Sequence, residues 1–268
     1  MKENDKVLLE INKLEVVYHH VSTAIQGVSF KVLEGMLFSI IGGNGAGKTT
    51  TLRAISGFLG SDNAEITDGE VKFEGKVLNM FPPQKITHLT RIVLVPERDK
   101  VFDTLTVEEN LSVPASQGMR HKQFKERIYE YFPNLRQRKK VLGGFLSGGE
   151  RQMLAIGQAL LCSPRLLMVD ELSLGLSPLI TKELLDIILQ IKKDLGFTVL
   201  LVEQNAAAAL AIAEYAAVME NGRIVLDGTP EKLMAHEDVR EFYLGMRGEE
   251  QKSYRDVKQY TRTRRWWG

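Results

Sequence analysis

The chain has 268 residues, of which 44% are hydrophobic and 26% are charged, and its formal net charge is +1. This composition is typical of a soluble globular protein with one large domain or a domain and a subdomain. The near-neutral charge argues against nucleic acid as a partner. A single cysteine, Cys162, excludes an internal disulfide. With no apolar signal core at the N-terminus and no run of roughly 20 apolar residues, we expect a cytoplasmic protein.

The first third of the chain is predicted to be mostly β-structure. The predicted strands are Val7–Tyr18, Ala24–Val32, Met36–Ile41, Gly69–Leu78 and Arg91–Val95. A turn signal, Glu74-Gly75, interrupts the fourth of these strands. Two helices are also expected here, one starting at Thr50–Ile55 and a short one at Pro82–Leu89.

The middle of the chain is predicted to be helical. The helical segments are expected at Thr106–Leu111, His121–Phe132 and Gly149–Leu161. The spacing of Thr106 and Glu109 is typical of a capping box, in which the two residues satisfy each other's backbone N–H groups. Because strands are predicted on both sides, we expect residues 100–160 to form a helical subdomain inserted into a sheet domain.

Strands and helices alternate in the rest of the chain. The predicted elements are the strands Arg165–Asp170 and Phe197–Val202, the helices Pro178–Leu195 and Asn205–Ala216, and a hairpin at Val218–Asp227. Such alternation predicts a parallel sheet covered by helices. The predicted fold class is therefore α/β, with a mixed parallel sheet core, an antiparallel β subdomain and the inserted helical subdomain, over residues 1–246. Residues 247–268 are predicted to be a basic tail.

Residues 42–49 read Gly-Gly-Asn-Gly-Ala-Gly-Lys-Thr and fit the pattern G-x-x-x-x-G-K-[ST] between a predicted strand and a predicted helix. Glycines let successive N–H groups point at phosphate oxygens, and a helix N-terminus adds partial positive charge. Lys48 is expected to reach the β- and γ-phosphates and Thr49 to ligate Mg²⁺. The predicted phosphate-binding residues are Gly42, Gly43, Asn44, Gly45, Ala46, Gly47, Lys48, Thr49 and Thr50. The alternative, a glycine-rich turn that ends in Lys-Thr by chance, does not account for the strand and helix around it.

A second acidic element follows later in the chain. Four apolar residues, 166–169, are followed by Asp170 and Glu171. Asp170 is predicted to hold Mg²⁺ directly or through water, and Glu171 to act as general base or to position the attacking water. Many strands end in acidic residues. This pattern therefore indicates a catalytic site only because the same chain has the predicted phosphate-binding loop, or P-loop, at residues 42–49.

The segment Leu146-Ser147-Gly148-Gly149-Glu150-Arg151-Gln152 lies before that acidic strand. Two glycines after a serine open a helix, so that N–H groups and a hydroxyl face outward and form a second phosphate-binding nest. The alternative is an ordinary helix start capped by serine. That alternative does not explain a second phosphate cradle in a chain that already has one.

These three motifs, in this order, make residues 7–246 similar to the ATP-binding subunits of ABC transporters. In that family two subunits pack head to tail, and each nucleotide lies between the P-loop of one subunit and the signature motif of the other. Residues 146–152 match the signature motif. The resemblance implies an α/β cassette that binds ATP and Mg²⁺, in which Ser147, Gly148 and Gly149 contact the γ-phosphate bound by the partner subunit's Lys48.

The resemblance implies roles for three further residues. Tyr18 matches the aromatic residue that stacks on adenine, although a surface tyrosine at a strand end is the alternative. Glu97 stands where the family's Q-loop has glutamine, and is implied to touch Mg²⁺ or water and to couple to the membrane subunit. Gln204 stands in the switch loop in place of the common histidine and cannot take a proton near neutral pH. If Glu171 is the main catalytic group, activity survives that replacement.

Three other departures bear on the subfamily. Leu172 stands where proline is common, Leu176 replaces the usual aspartate of the D-loop, and Gly43 replaces a common proline. Together with Val-Pro-Glu at 95–97 and Val-Glu-Gln-Asn at 202–205, the segment 173–178 resembles the smaller ATPase of branched-chain amino acid importers. Residues 98–100 and the tail depart from that branch. Related ATPases serve urea and short amides, so the solute stays open. A non-transport ABC ATPase acting on nucleic acid or the ribosome is a more distant alternative.

The resemblance also implies partners and a place in the cell. A second ATPase subunit, homologous or identical, two membrane permeases and, indirectly, a periplasmic binding protein are expected, and no nucleic acid. The chain is expected to lie peripherally on the cytoplasmic face of the membrane. The groove around Glu97 and Val107–Pro114 is predicted to receive a permease helix. The two tryptophans of the tail, Trp266 and Trp267, lie among arginines, which suits contact with a membrane surface.

Overall fold

The computed structural model describes residues 6–98, 100–114 and 119–244, without the side chains of residues 119–123. The strands are β1 Val7–Tyr18, β2 Ser22–Leu33, β3 Leu37–Ile41, β4 Ala64–Phe73, β5 Lys76–Val77, β6 Ile92–Val95, β7 Leu166–Asp170, β8 Thr198–Glu203, β9 Tyr215–Glu220 and β10 Arg223–Gly228. The helices are α1 Lys48–Ser56, α2 Pro83–Thr90, α3 Val107–Asn110, α4 Met119–Tyr131, α5 Pro133–Gln137, α6 Gly148–Leu161, α7 Pro178–Leu195, α8 Ala206–Ile212 and α9 Pro230–Met234. The predicted tail, residues 247–268, lies outside the described residues.

The described strands form two sheets. A four-stranded antiparallel sheet has the order β2-β1-β4-β5, and a six-stranded sheet has the order β10-β9-β3-β8-β7-β6. In the larger sheet all neighbouring strands are parallel except β9 and β10, which form the predicted antiparallel hairpin. The predicted α/β fold with a mixed sheet is therefore confirmed.

The central strands of the larger sheet are buried on both faces. In β8, Val199 and Leu201 pack into a core shared with α6 and α7, whereas Leu200 and Val202 pack into a second core with α1 and the smaller sheet. Side chains alternate between faces in a strand, so a run of apolar residues is what a sheet covered on both sides requires. The chain leaves this sheet after β6 and returns at β7, and α3 to α6 lie between. The proposed division at residue 246 remains a prediction.

Two of the boundaries that differ from those predicted show the effect of strand pairing. β4 begins at Ala64, where Gly69 had been expected, because residues 64–68 pair along β1 and one face of that segment is exposed. The predicted helix Asn205–Ala216 ends at Ile212, and β9 begins at Tyr215. Alanine favours a helix in isolation, but Ala216 and Ala217 pair with β3 and are fully buried. Pairing across the sheet therefore overrides local preference.

An ion cluster connects the two sheets at the edge opposite the P-loop. Arg165, just before β7, makes two hydrogen bonds of 2.6 and 2.8 Å with the Glu74 carboxylate in the β4–β5 turn. Lys6 lies 2.7 Å from Glu74 and 3.0 Å from Glu34, which follows β2. Hydrogen bonds from Arg165 and then Lys6 lower the pKa of Glu74 from 4.5 to about 2. The ionised carboxylate therefore stabilises the folded chain above pH 4.5.

Replacing Glu74 with glutamine is expected to lower the free energy of unfolding by about 0.5–1 kcal/mol at pH 7, since the cluster is partly exposed and screened by solvent. A group whose folded pKa is lowered loses its contribution as pH falls through the range from 4.5 to about 2. Urea unfolding at pH 7, 4 and 3 should therefore show the difference shrinking. Glu10→Gln, which removes one exposed partner of Lys31 at 2.9 Å, is the control. A difference that grows with acidity would contradict this account.

Candidate nucleotide-binding site

The sheet order brings the predicted motifs to one edge. The P-loop follows β3, the acidic pair ends β7, and the switch segment follows β8, which lies between those two strands. Carboxyl ends of neighbouring parallel strands meet at the same edge of a sheet, where ligands bind in open α/β folds. The three segments are therefore neighbours in space although they are up to about 160 residues apart in the chain.

Two P-loop glycines are required by the space around them. A Cβ on Gly42 would lie 2.3 Å from the Met219 carbonyl oxygen, and one on Gly47 would lie 3.1 Å from the Ala24 carbonyl oxygen. Gly47 also has a φ of +105°, which L side chains rarely adopt. By contrast, a Cβ on Gly43 would meet nothing within 4 Å. The space at this position therefore does not require a glycine.

Lys48 and Thr49 join the P-loop to the acidic pair. The Lys48 Nζ donates to the carbonyl oxygens of Gly42 and Gly43 at 2.9 and 3.0 Å, and lies 3.1 Å from the Glu171 Oε1. The Thr49 hydroxyl donates to the Asp170 Oδ1 at 3.1 Å. Lys48 is 4% exposed, and these protein oxygens compensate the cost of burying its ammonium charge. The structure thus brings together four predicted site residues.

The acidic pair has unusual electrostatics and backbone geometry. Burial raises the pKa of Asp170 to about 6, and the charges of Glu171 and Glu97 add to this rise, while the Thr49 hydrogen bond and Lys48 oppose it. Glu171 has a φ of +47°, in the left-handed region that non-glycine residues seldom occupy. Its N–H donates to the Val202 carbonyl oxygen at 2.9 Å, which holds that conformation.

A cavity of about 490 Å³ lies over the P-loop. Its lining includes the loop residues Asn44 to Thr50, together with Glu97 and Glu171. Tyr18 lies beside this loop, half-buried at the end of β1, and its hydroxyl is 3.2 Å from the Thr50 Oγ1. A second cavity of about 370 Å³ beside Arg165 lacks the P-loop and both acidic residues. The P-loop and Glu171 therefore line the 490 Å³ cavity and not the 370 Å³ cavity.

Residues 147–149 form the capped helix start that was the alternative prediction. The Ser147 Oγ accepts from the Glu150 N–H at 3.3 Å, and the Glu150 carboxylate accepts from the Ser147 N–H at 2.9 Å. Ser147 and Gly148 are nevertheless exposed. A Cβ on Gly148 would lie 3.3 Å from the Leu176 Cδ2, so the leucine in the aspartate position packs over the signature segment. The phosphate role of this segment remains a prediction.

Comparison with known proteins identifies the family. Residues 25–173 match the family described as ABC transporter. The chain is 40% identical over 240 residues to BraG, the high-affinity branched-chain amino acid transport ATP-binding protein of Pseudomonas aeruginosa, covering 89% of this chain and all of BraG. The chain is an ATP-binding protein of the ABC transporter family. Members of this family are ATPases that bind nucleotide and power transport.

Two further similarities agree with this assignment. The cassette is 37% identical over 222 residues to LivF of Archaeoglobus fulgidus, named as a probable branched-chain amino acid transport ATP-binding protein, covering 82% of this chain and 91% of LivF. A crystal structure of the ADP conformation of an ABC transporter cassette superposes with a TM-score of 0.75 at 27% identity, covering 89% of this chain and 99% of that chain. The resemblance and the cassette fold predicted from the motifs are confirmed.

The oxygen donors at the end of β7 suit a magnesium ion. Mg²⁺ prefers hard oxygen ligands and binds beside substrate phosphates through one or two carboxylates. The Thr49 hydroxyl and the Asp170 carboxylate lie 3.1 Å apart next to the P-loop. Glu97, half-buried, lines the same cavity, although its carboxylate also accepts from the Arg98 Nε at 3.0 Å. The residues present therefore fit this ion.

The predicted permease groove is smaller than expected. Val107 and Leu111 are fully buried in the core of the helical subdomain, so neither can contact another protein. Val113 is 50% exposed and remains available for such a contact.

The capping box predicted for Thr106 and Glu109 is present. In the described part of the chain, no helix is long and apolar enough to cross a bilayer.

Two contacts at the site were not predicted. The side chain of Lys100 contacts Gln152 of α6, and burial lowers the pKa of this lysine. Glu203, the last residue of β8, accepts two hydrogen bonds from Ser173. The sequence carried a signal for a role of Glu203, because this carboxylate follows the apolar residues 199–202 at a strand end. The same pattern singled out Asp170.

Proposed function

We propose that this cassette is an ATP-hydrolysing subunit of an importer for branched-chain or related amino acids. The observation that carries the proposal is the 40% identity to BraG along nearly the whole of both chains. The segments that distinguish this branch, 95–97, 173–178 and 202–205, all lie around the P-loop edge of the sheet. A urea or short-amide system is the alternative solute class.

The site residues divide the work of hydrolysis. The P-loop N–H groups and Lys48 bind the phosphates. To do so, the Lys48 ammonium gives up its hydrogen bonds to the loop carbonyls and donates to phosphate oxygens instead. Thr49 and Asp170, with Glu97 nearby, would hold Mg²⁺, which would neutralise phosphate charge when bound. Glu171 accepts a proton from the attacking water at its carboxylate. Tyr18 stacks on adenine, and Gln204 orients the water as a hydrogen-bond donor and acceptor.

The proposed assembly rests on the family resemblance, in which the signature segment serves the nucleotide of the other subunit. We infer that Ser147, Gly148 and Gly149 complete the site of a second subunit in a head-to-tail dimer, whose other member is a homologous ATPase or an identical chain. Two permeases anchor the pair at the cytoplasmic face of the membrane, and a periplasmic binding protein delivers the solute to them. No nucleic acid takes part in this cycle.

Uptake assays with labelled leucine and labelled urea test the solute class. Deleting the gene from the organism that carries it is expected to reduce leucine uptake at low solute concentration and to leave urea uptake unchanged. Wild-type chain supplied in trans should restore leucine uptake. Lys48→Ala should not restore it, because that variant lacks the charge opposite the phosphates. Loss of urea uptake alone would assign the alternative solute class. Unchanged uptake of both solutes would refute both.

A further inference from the structure

Glu203 occupies a central place among the catalytic segments. It ends β8, the strand between β3 and β7, and it is 1% exposed. Its carbonyl oxygen accepts from the N–H of Gly42, the first P-loop glycine, at 3.3 Å. The preceding residue, Val202, accepts from the Glu171 N–H at 2.9 Å. The end of β8 is therefore bonded to the P-loop on one side and to the acidic pair on the other.

The Glu203 side chain binds the loop that follows the acidic pair. One carboxylate oxygen accepts from the Ser173 N–H at 2.8 Å, and the other accepts from the Ser173 hydroxyl at 2.6 Å. Ser173 lies two residues after Glu171. Glu203 itself directly precedes Gln204 in the switch segment. One buried carboxylate thus connects the loop after the acidic pair to the switch segment.

Stability alone does not account for an acid at this position. Residues 199–202 of β8 are apolar and fully buried, and a further apolar residue would continue that pattern. Burying a carboxylate is costly unless its oxygens are hydrogen-bonded. Here two donors compensate the cost, and both belong to Ser173 in the loop at the nucleotide edge. Beyond Ser173, Leu174 is half exposed and Gly175 has a φ of +73°.

We propose that Glu203 is a positioning residue for ATP hydrolysis, whose carboxylate fixes the loop after Glu171 to the segment that carries Gln204. The inference rests on the proposed function of this site. Glu203 does not touch the nucleotide in this scheme. It acts by holding Glu171 and Gln204 in constant relation to the P-loop, because small displacements of catalytic groups lower the rate of the chemical step.

A double-mutant cycle in the ATPase reaction tests the proposal. Glu203→Gln leaves one acceptor for two donors, and Ser173→Ala removes the hydroxyl bond. Each is expected to lower kcat about tenfold, equivalent to about 1.4 kcal/mol in the barrier, with KM for ATP changed less than about twofold. The double variant should be no slower than either single variant, since both break the same connection. Ser173→Thr, which keeps the hydroxyl, should retain most of the rate.

Thr90→Val is the matched control for loss of a buried hydroxyl. The Thr90 Oγ1 donates to the Ile86 carbonyl oxygen at 2.7 Å and accepts from the Ile92 N–H at 3.1 Å, far from the P-loop in the chain. This variant should lower Tm while kcat is retained. If Ser173→Ala also keeps its kcat, or if the two single effects multiply in the double variant, the proposal is wrong. An inactive wild-type chain, assayed with its partner ATPase, would instead overturn the proposed function.

Discussion

Replacing Glu171 with glutamine is expected to preserve ATP binding and to lower ATP turnover by about 10²- to 10⁴-fold, the range that a general base contributes. Glutamine keeps the shape of the side chain but cannot accept a proton from water. ATP binding should survive because Lys48 and the P-loop glycines are unchanged. The closed dimer should accumulate with ATP bound. Phosphate release measures turnover, and calorimetry measures ATP affinity.

Glu183→Gln is the matched control, because this exposed glutamate lies on α7 away from the acidic pair. It should keep the wild-type rate and affinity. Lys48→Ala is the complementary variant and should weaken ATP binding itself, as the charge opposite the phosphates is lost. Wild-type turnover in Glu171→Gln would show that another group is the base. Unchanged ATP affinity in Lys48→Ala would refute the P-loop assignment.

Ser147→Arg is expected to abolish turnover while ATP affinity stays near the wild-type value. Ser147 is exposed at the start of α6, and arginine there would remove the hydroxyl that we propose contacts the γ-phosphate held by the other cassette. The P-loop of the same chain is unchanged. Thr106→Arg controls for the lost cap, because Thr106 begins α3 with the same capping box. That control should stay active. Full activity in a strictly monomeric preparation would contradict the dimer.

Mixing two inactive chains identifies the natural partner. A dimer of one Ser147→Arg chain and one Lys48→Ala chain keeps one site with an intact P-loop and an intact signature segment. If two identical chains form the active unit, the mixture should therefore recover part of the ATPase activity. If the partner is a homologous ATPase, the mixture should stay inactive until that subunit is added. If the mixture is inactive both alone and with the homologous ATPase added, the head-to-tail arrangement is excluded.

The motifs that local spacing defines were predictable from the sequence. Residues 42–49 and 146–152 are contiguous, and the backbone of each loop follows from its own glycines and helix start. Buried apolar runs such as β7 and β8 were equally visible, because a sheet covered on both faces needs them. Parallel pairing then placed Asp170 beside Thr49 without any further signal in the sequence.

Features that depend on pairing across the chain were not predictable. The start of β4 depends on its pairing with β1, and the end of α8 depends on Ala216 entering the sheet beside β3. The connection between Glu203 and Ser173 spans 30 residues and depends on the order of β7 and β8. Local propensity carries no information about such neighbours, so these contacts require the folded chain.

The leucine that packs over Gly148 makes one contact of the cassette independent of salt. Ionic strength weakens exposed ion pairs, including those that join the two sheets at Glu74, because mobile ions screen their charges. The Leu176 Cδ2 lies beside Gly148 at the start of α6, and mobile ions do not screen a contact of this apolar group. This contact should therefore persist through changes in ionic strength that weaken the exposed ion pairs.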